Sequence, residues 1–336
     1  MSPLISIAPT LPEDTVLYRT MDFFSAAAMC SSMTLMFSRA DTFSDRNEGI
    51  DRLLTQLELT QPGSGCGMGW SDAETARRMH DRVKQSHYIS CWSRNAESVA
   101  MWALYSPDHC SVRVSTTVSK LLPAVENLAS KYSLLRLNSS DLGKRVAVAV
   151  MGSIEPVTYE NLADISHRIG RRAKARQRLD ERYERMGRER PSLTEINPRY
   201  WEREEQRRFS DVRTTCRLKD ASFSHEAEVR LSVRIGEETF SANMLDDQAM
   251  FEPTHQYHSL LKENFRFWGW ISTVQIPEHE FVNCSVNLVE SVAIDPRCPP
   301  HKAHFMATWF RERGIRVVNS TCFGYLPNTF PAFPDK

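Results

Sequence analysis

Residues 225–235, His-Glu-Ala-Glu-Val-Arg-Leu-Ser-Val-Arg-Ile, alternate apolar and polar side chains so regularly that they constrain the fold more than any other segment. Successive side chains of a strand point to opposite faces. Ala227, Val229, Leu231, Val233 and Ile235 therefore line one face, and Glu226, Glu228, Arg230, Ser232 and Arg234 the other. A helix would scatter both sets around its axis. A strand with one apolar face requires a sheet, and the sheet requires a layer to cover it. The same register sets the two glutamates about 7 Å apart on one face with Arg230 beyond them.

The remaining chain supplies partners. Strands are expected over 15–21, which carries Tyr18 and Arg19, over 34–38, over 87–93, which carries Ser90 and Ser93, and over 110–116 and 145–154. Helices are expected over 23–33, 73–85, 118–132 and around Met101-Trp-Ala-Leu-Tyr105. Residues 288–296, 300–313 and 315–320 read as a β-α-β return. Strands and helices mix without strict alternation, which predicts an α+β fold, a mixed and mostly antiparallel sheet with surrounding helices. The organisation expected is a leader (1–14), one core domain (15–159 and 211–326), an arginine-rich helical hairpin inserted at 160–210 and broken at Pro191 and Pro198, and a tail (327–336). Residues 61–72 hold four of the 13 glycines but lack a phosphate-loop ending, so they read as a flexible loop or lid.

At 336 residues and 41% apolar content the chain can bury its own core. Its 42 basic and 42 acidic side chains cancel, so any attraction to nucleic acid must be local. The eight cysteines form no C-x-x-C pair and read as thiols. The N-terminus lacks a basic signal-peptide region and no run of about 18 apolar residues occurs, so a cytoplasmic protein with no membrane span is expected.

Four segments together resemble a widespread bacterial family of uncharacterised proteins, domain of unknown function family 2971. They are Leu17-Tyr-Arg-Thr20, Phe43-Ser-Asp-Arg-Asn-Glu48, Cys91-Trp-Ser93 with Met101-Trp-Ala-Leu-Tyr105, and Glu226-Ala-Glu-Val-Arg230. Ser-Asp-Arg-Asn-Glu replaces the family's usual Asn-Asp-Pro-x-Glu, and 160–210 is an addition to its pattern. The resemblance implies a fold and a site position but no reaction.

The order Arg19, Ser90 to Ser93, Glu226-x-Glu228 also resembles the Arg, Ser-x-Ser and Glu-x-Glu arrangement of ADP-ribosyltransferases. That resemblance implies NAD as cofactor, with Arg19 on its phosphates, Ser90 or Ser93 ordering the nicotinamide pocket, Glu228 stabilising the ribose oxocarbenium and Glu226 assisting the acceptor. Tyr18 and Trp102 would add aromatic faces for a nucleotide-like ligand. A toxin or anti-phage defence role goes with this reading. The runner-up reading is a divalent-metal nuclease collecting Asp45, Glu48, Glu226 and Glu228, with Lys219 or Arg230 on phosphate, although no metal is expected because Asp45-x-x-Glu48 serves as well as a turn and cap. His255-x-x-His258 and His301-x-x-His304 have helical ligand spacing but read as ordinary histidines. A third reading is a non-catalytic nucleic-acid or protein-binding module. Residues 167–190 hold ten Lys or Arg against four Asp or Glu, suited to phosphate backbones, although i,i+4 ion pairs such as Glu181 with Arg185 and Glu184 with Arg188 would make the segment an ordinary solvated helix.

Overall fold

The computed structural model describes residues 5–50, 80–133, 136–188, 216–239, 276–284 and 287–324. In chain order the strands are β1 (Ile5–Ile7), β2 (Val16–Asp22), β3 (Thr34–Arg39), β4 (His87–Ser93), β5 (Ser111–Thr117), β6 (Arg145–Pro156), β7 (Thr158–Glu160), β8 (Leu218–Asp220), β9 (Glu228–Thr239), β10 (His279–Asn283), β11 (Ser291–Ile294) and β12 (Arg316–Val318). The helices are α1 (Phe23–Ser32), α2 (Val99–Tyr105), α3 (Val118–Lys131), α4 (Leu162–Arg185) and α5 (Pro300–Arg311). The fold is α+β, as its mixed order of elements predicts.

The main sheet runs β1-β6-β9-β4-β2-β5-β11-β12, with β3 pairing to β4 and β10 to β3. Among the described residues of this sheet, only β1 with β6 and β11 with β12 are parallel, the latter pair closed by α5 as the expected β-α-β return. Strand β4 is where the sheet forks. Its β9 edge is paired from His87 to Ser93, whereas the other edge is divided: Ile89 and Tyr88 meet Ser38 and Arg39 of β3, and Ser93 meets Tyr18 of β2. Residues 90–92 have no strand partner on that edge among the described residues. Helix α1 joins β2 to β3 and packs Phe23, Ala26 and Met29 into the core, which leaves the two strands to take opposite ends of β4.

Alternation sorts the two faces. Leu17, Trp92, Val112, Val114, Val229, Leu231 and Val233 pack with Leu121, Val125 and Leu128 of α3 and Met306 and Phe310 of α5. Each such side chain contributes about 1.5–3 kcal/mol of burial. The opposite face carries Tyr18, Cys91, Ser93, Arg113, Glu228 and Arg230. At Gly152 of β6 a Cβ would lie 2.7 Å from Val125 Cγ1, so glycine lets α3 and the sheet approach.

Two expectations change. Residues 5–7 are not a leader: they form edge strand β1, hydrogen-bonded to β6 and packed on the core. The regular strand begins at Glu228 rather than 225, because Ser93↔Glu228 is the last pair that β4 can offer. Residues Ala221–Glu226 instead form a 3-10 turn capped by the Asp220 side chain and closed by Ala227 in the left-handed region (φ 43°). Of the inserted hairpin, α4 is present as one helix of 24 residues, rooted by the parallel pairing of β7 with β8. Its second arm, the glycine-rich segment 61–72, most of the 73–85 helix, His255, His258 and the tail lie outside the described residues, where 80–85 is helical.

Candidate functional site

The polar face is organised around Arg230. It donates from Nε to Glu228 Oε1 (2.8 Å) and from Nη2 to Glu48 Oε2 (2.8 Å), while Nη1 bonds both Glu48 Oε1 and the Cys216 carbonyl. Glu48 arrives on a turn in which Asp45 accepts from Asn47 N (2.8 Å), so Asp45 shapes the turn and only Glu48 reaches the cluster. Strand β8, returning from the insertion, delivers Lys219. Its ammonium sits 2.7 Å from Glu226 Oε2 and 2.8 Å from Glu228 Oε2. Tyr105 of α2 donates to Glu226 Oε1 (2.9 Å), and Tyr159 accepts from Glu228 N (2.7 Å). Cross-strand from Arg230, Glu155 pairs with Arg217.

Glu226 and Glu228 thus converge on one lysine, but not as neighbours on one strand face. Left-handed Ala227 turns the 3-10 segment back over the sheet. The Ser93 hydroxyl fixes that turn by donating to the Glu226 carbonyl (2.6 Å). Both glutamates are buried, at 6% and 4% exposure, so neither belongs to a solvated strand face.

Electrostatics separates their roles. Burial alone would raise the Glu228 carboxyl; the adjoining Arg230 and Lys219 charges outweigh it and hold the group at about 2. Burial pulls Lys219 down, yet Glu228 and the hydrogen bonds to both carboxylates raise it well above its ordinary value. Burial, then Glu228, drives the Cys91 thiol up, so it stays protonated. Glu228 is therefore a fixed anion locked between two cations. Glu226, by contrast, is held by Lys219 and by Tyr105, which is 43% exposed and gives the cluster an edge toward solvent.

Arg19 and Ser90 form a second group. Arg19 Nη1 donates to Ser90 Oγ (3.0 Å). Because Tyr18 pairs with Ser93, alternation sets Arg19 and Ser90 on the face of Leu17 and Trp92, and Tyr18, Ser93 and Glu228 on the other. The predicted Arg, Ser and Glu trio is thus spread over both faces of adjacent strands beside the fork. Burial lowers the Arg19 guanidinium, opposed by neighbouring Cys91, and no carboxylate pairs with it among the described residues.

Tyr18 and Trp102 are brought together by a residue that sequence reasoning missed, Arg113 of β5. Its guanidinium lies 5.3 Å from the Tyr18 ring centroid and 6.0 Å from that of Trp102, and bonds Glu97 at 2.8 Å. Glu97 also accepts from Ser320 (2.6 Å), whose hydroxyl accepts from Trp102 Nε1 (3.3 Å). Trp102, 1% exposed, is packing rather than pocket wall. The available signal was a lone arginine interrupting Ser-Val-Arg-Val-Ser, as Glu48 and Tyr105 were signalled by their motifs.

The residues proposed for a metal do not fit one. Glu48, Glu226 and Glu228 do gather, but Arg230 and Lys219 occupy the space between their oxygens. Asp45 stays in its turn, and His301 and His304 stand exposed on α5. No metal-ligand cluster occurs among the described residues, and no helix among them is long and apolar enough to cross a membrane. No family model matches the sequence, and no curated protein or solved structure is significantly similar to it, so the chemistry rests on the geometry of the site.

Proposed function

We propose that this chain binds a dinucleotide such as NAD in the fork of the sheet and transfers its ADP-ribosyl group, in the manner of the ADP-ribosyltransferases its motif order resembles. The observation that carries the reading is Arg19, a half-buried guanidinium whose one partner among the described residues is a serine hydroxyl. Burying a guanidinium without an anion is costly, and a ligand phosphate is the anion its planar fork suits best. Among the described residues the edge at 90–92 is unpaired, which would give that phosphate a way in between β2 and β3.

Glu226 takes the role that the motif alone assigns to Glu228. A carboxylate that stabilises a ribose oxocarbenium must approach the ribose, and Glu228 is enclosed by Arg230 and Lys219. Glu226 meets the partly exposed Tyr105 instead. Nicotinamide would leave as the glycosidic C–N bond breaks, and an acceptor nucleophile would form the new bond to the ribose carbon and give up its proton.

The test is calorimetric titration of NAD into the full chain and into Arg19→Gln, with nicotinamide release measured beside Glu226→Gln. Loss of a charge-assisted phosphate contact should weaken NAD binding about 10- to 100-fold. Glu226→Gln should bind NAD but release no nicotinamide. Unchanged affinity in Arg19→Gln, or no NAD binding at millimolar concentration, would overturn the proposal.

A further inference from the structure

Helix α4 carries a feature separate from the sheet site. His167, Arg171, Lys174, Arg178, Arg182 and Arg185 are all exposed and follow one another at spacings of four, three, four, four and three residues. At 3.6 residues per turn these positions fall within about 80° of arc and extend about 27 Å along the helix. On the opposite side Ile165 is buried and Leu179 and Tyr183 are half-buried.

On a solvated helix such cations are ordinarily absorbed by acids one turn away, and the sequence offers Glu181 to Arg185 and Glu184 to Arg188. Neither ion pair forms. Glu181 instead accepts from Gln177 Nε2 (3.1 Å), and Arg185 Nε donates to the Glu181 backbone carbonyl (3.1 Å). No salt bridge engages Arg171, Lys174, Arg178, Arg182 or Arg185 among the described residues. At its N-terminal end Glu160 and Asp164 line one pocket with His167 and Arg171, and Glu181 flanks the stripe further along.

We infer that this stripe is a nucleic-acid binding surface that follows the phosphodiester backbone without reading bases. A straight row of cations that has no salt-bridge partner among the described residues matches a linear polyanion, since each guanidinium can take a phosphate in a forked hydrogen bond. The one aromatic ring of the stripe is the His167 imidazole at its N-terminal end; no array of rings follows it on which successive bases could stack, which argues against sequence reading. An anionic membrane fits less well, because a surface helix needs a free apolar face beside its charges, and on this helix Ile165 is buried and Leu179 and Tyr183 are half-buried. The surface would hold the chain on nucleic acid independently of any chemistry at the fork.

The experiment is fluorescence anisotropy of the full chain with a labelled 20-base-pair DNA duplex and a 20-nucleotide RNA strand across a salt series. Five phosphate contacts predict a slope of log K against log salt of about −4.5 for the duplex and about −3.5 for the single strand. Replacing Arg171, Arg178 and Arg182 by glutamine should reduce the duplex slope to about −1.8. The same loss of charge at Arg136, Arg311 and Arg316, exposed elsewhere, should leave it unchanged. All six positions are on the surface, so the melting temperature serves as a fold control. Equal slopes for the native chain and the stripe variant, equal effects of the two triple variants, or binding to phosphatidylserine vesicles with none to either nucleic acid would each overturn the inference.

Discussion

Replacing Arg230 with methionine isolates what the buried cluster contributes. The substitution keeps much of the side-chain volume but strips Glu48 and Glu228 of the guanidinium both contact, leaving two carboxylates at 1% and 4% exposure. Breaking a buried pair from one side costs about 3–5 kcal/mol, because the partner's charge is left in a medium that cannot solvate it. That is a large part of the roughly 5–15 kcal/mol that holds a typical domain together, and should lower the melting temperature by at least about 6 °C.

The pH dependence gives the sharper check. Glu228 is held at about 2 against an ordinary 4.5, a depressed folded-state value, so its contribution is fully present above 4.5 and lost as pH falls through 2. Its size is about 3 kcal/mol. In Arg230→Met the Lys219 charge and the Cys91 hydrogen bond remain to depress it, so the variant has less to lose on acidification. Urea denaturation of both chains at pH 7 and at pH 3 should therefore show a gap that narrows in acid. A cost below about 1 kcal/mol at pH 7, or an undiminished gap at pH 3, would refute the claim that Arg230 acts by neutralising these two carboxylates.

Ala227→Gly should be neutral or stabilise by up to about 1 kcal/mol in the same denaturation assay, since φ 43° suits glycine, while the flexibility gained by the unfolded chain offsets part of the relief. A loss above 1 kcal/mol would mean that the turn is not strained at that residue. Gly152→Ala should cost about 1–3 kcal/mol, because its methyl would meet Val125 Cγ1 at 2.7 Å and Ile5 Cγ1 at 3.2 Å. Shortening the nearer obstacle in Gly152→Ala/Val125→Ala should recover part of the loss, and no recovery would place the clash elsewhere.

The sequence by itself determined the α+β class, most element positions, the inward face of β9 and the closing β-α-β unit. Each follows from local periodicity: Val229, Leu231 and Val233 must point one way wherever the strand is placed. It also singled out the segments that build the polar cluster, since Glu48, Tyr105 and the two glutamates all lie in the motifs it marked. Which atoms meet was settled only in three dimensions. Alternation carries through Ala227 without interruption in the sequence, and the strand stops there because β4 ends opposite Glu228 and the Ser93 hydroxyl claims the Glu226 carbonyl. Whether Arg19 and Glu228 share a face depends on the register of β2 against β4, a pairing between residues about seventy positions apart that no local pattern encodes. From the sequence Lys219 and Arg230 read as groups for a substrate phosphate; long-range packing of the insertion's return strand and the Glu48 turn made them the buried centre of the cluster.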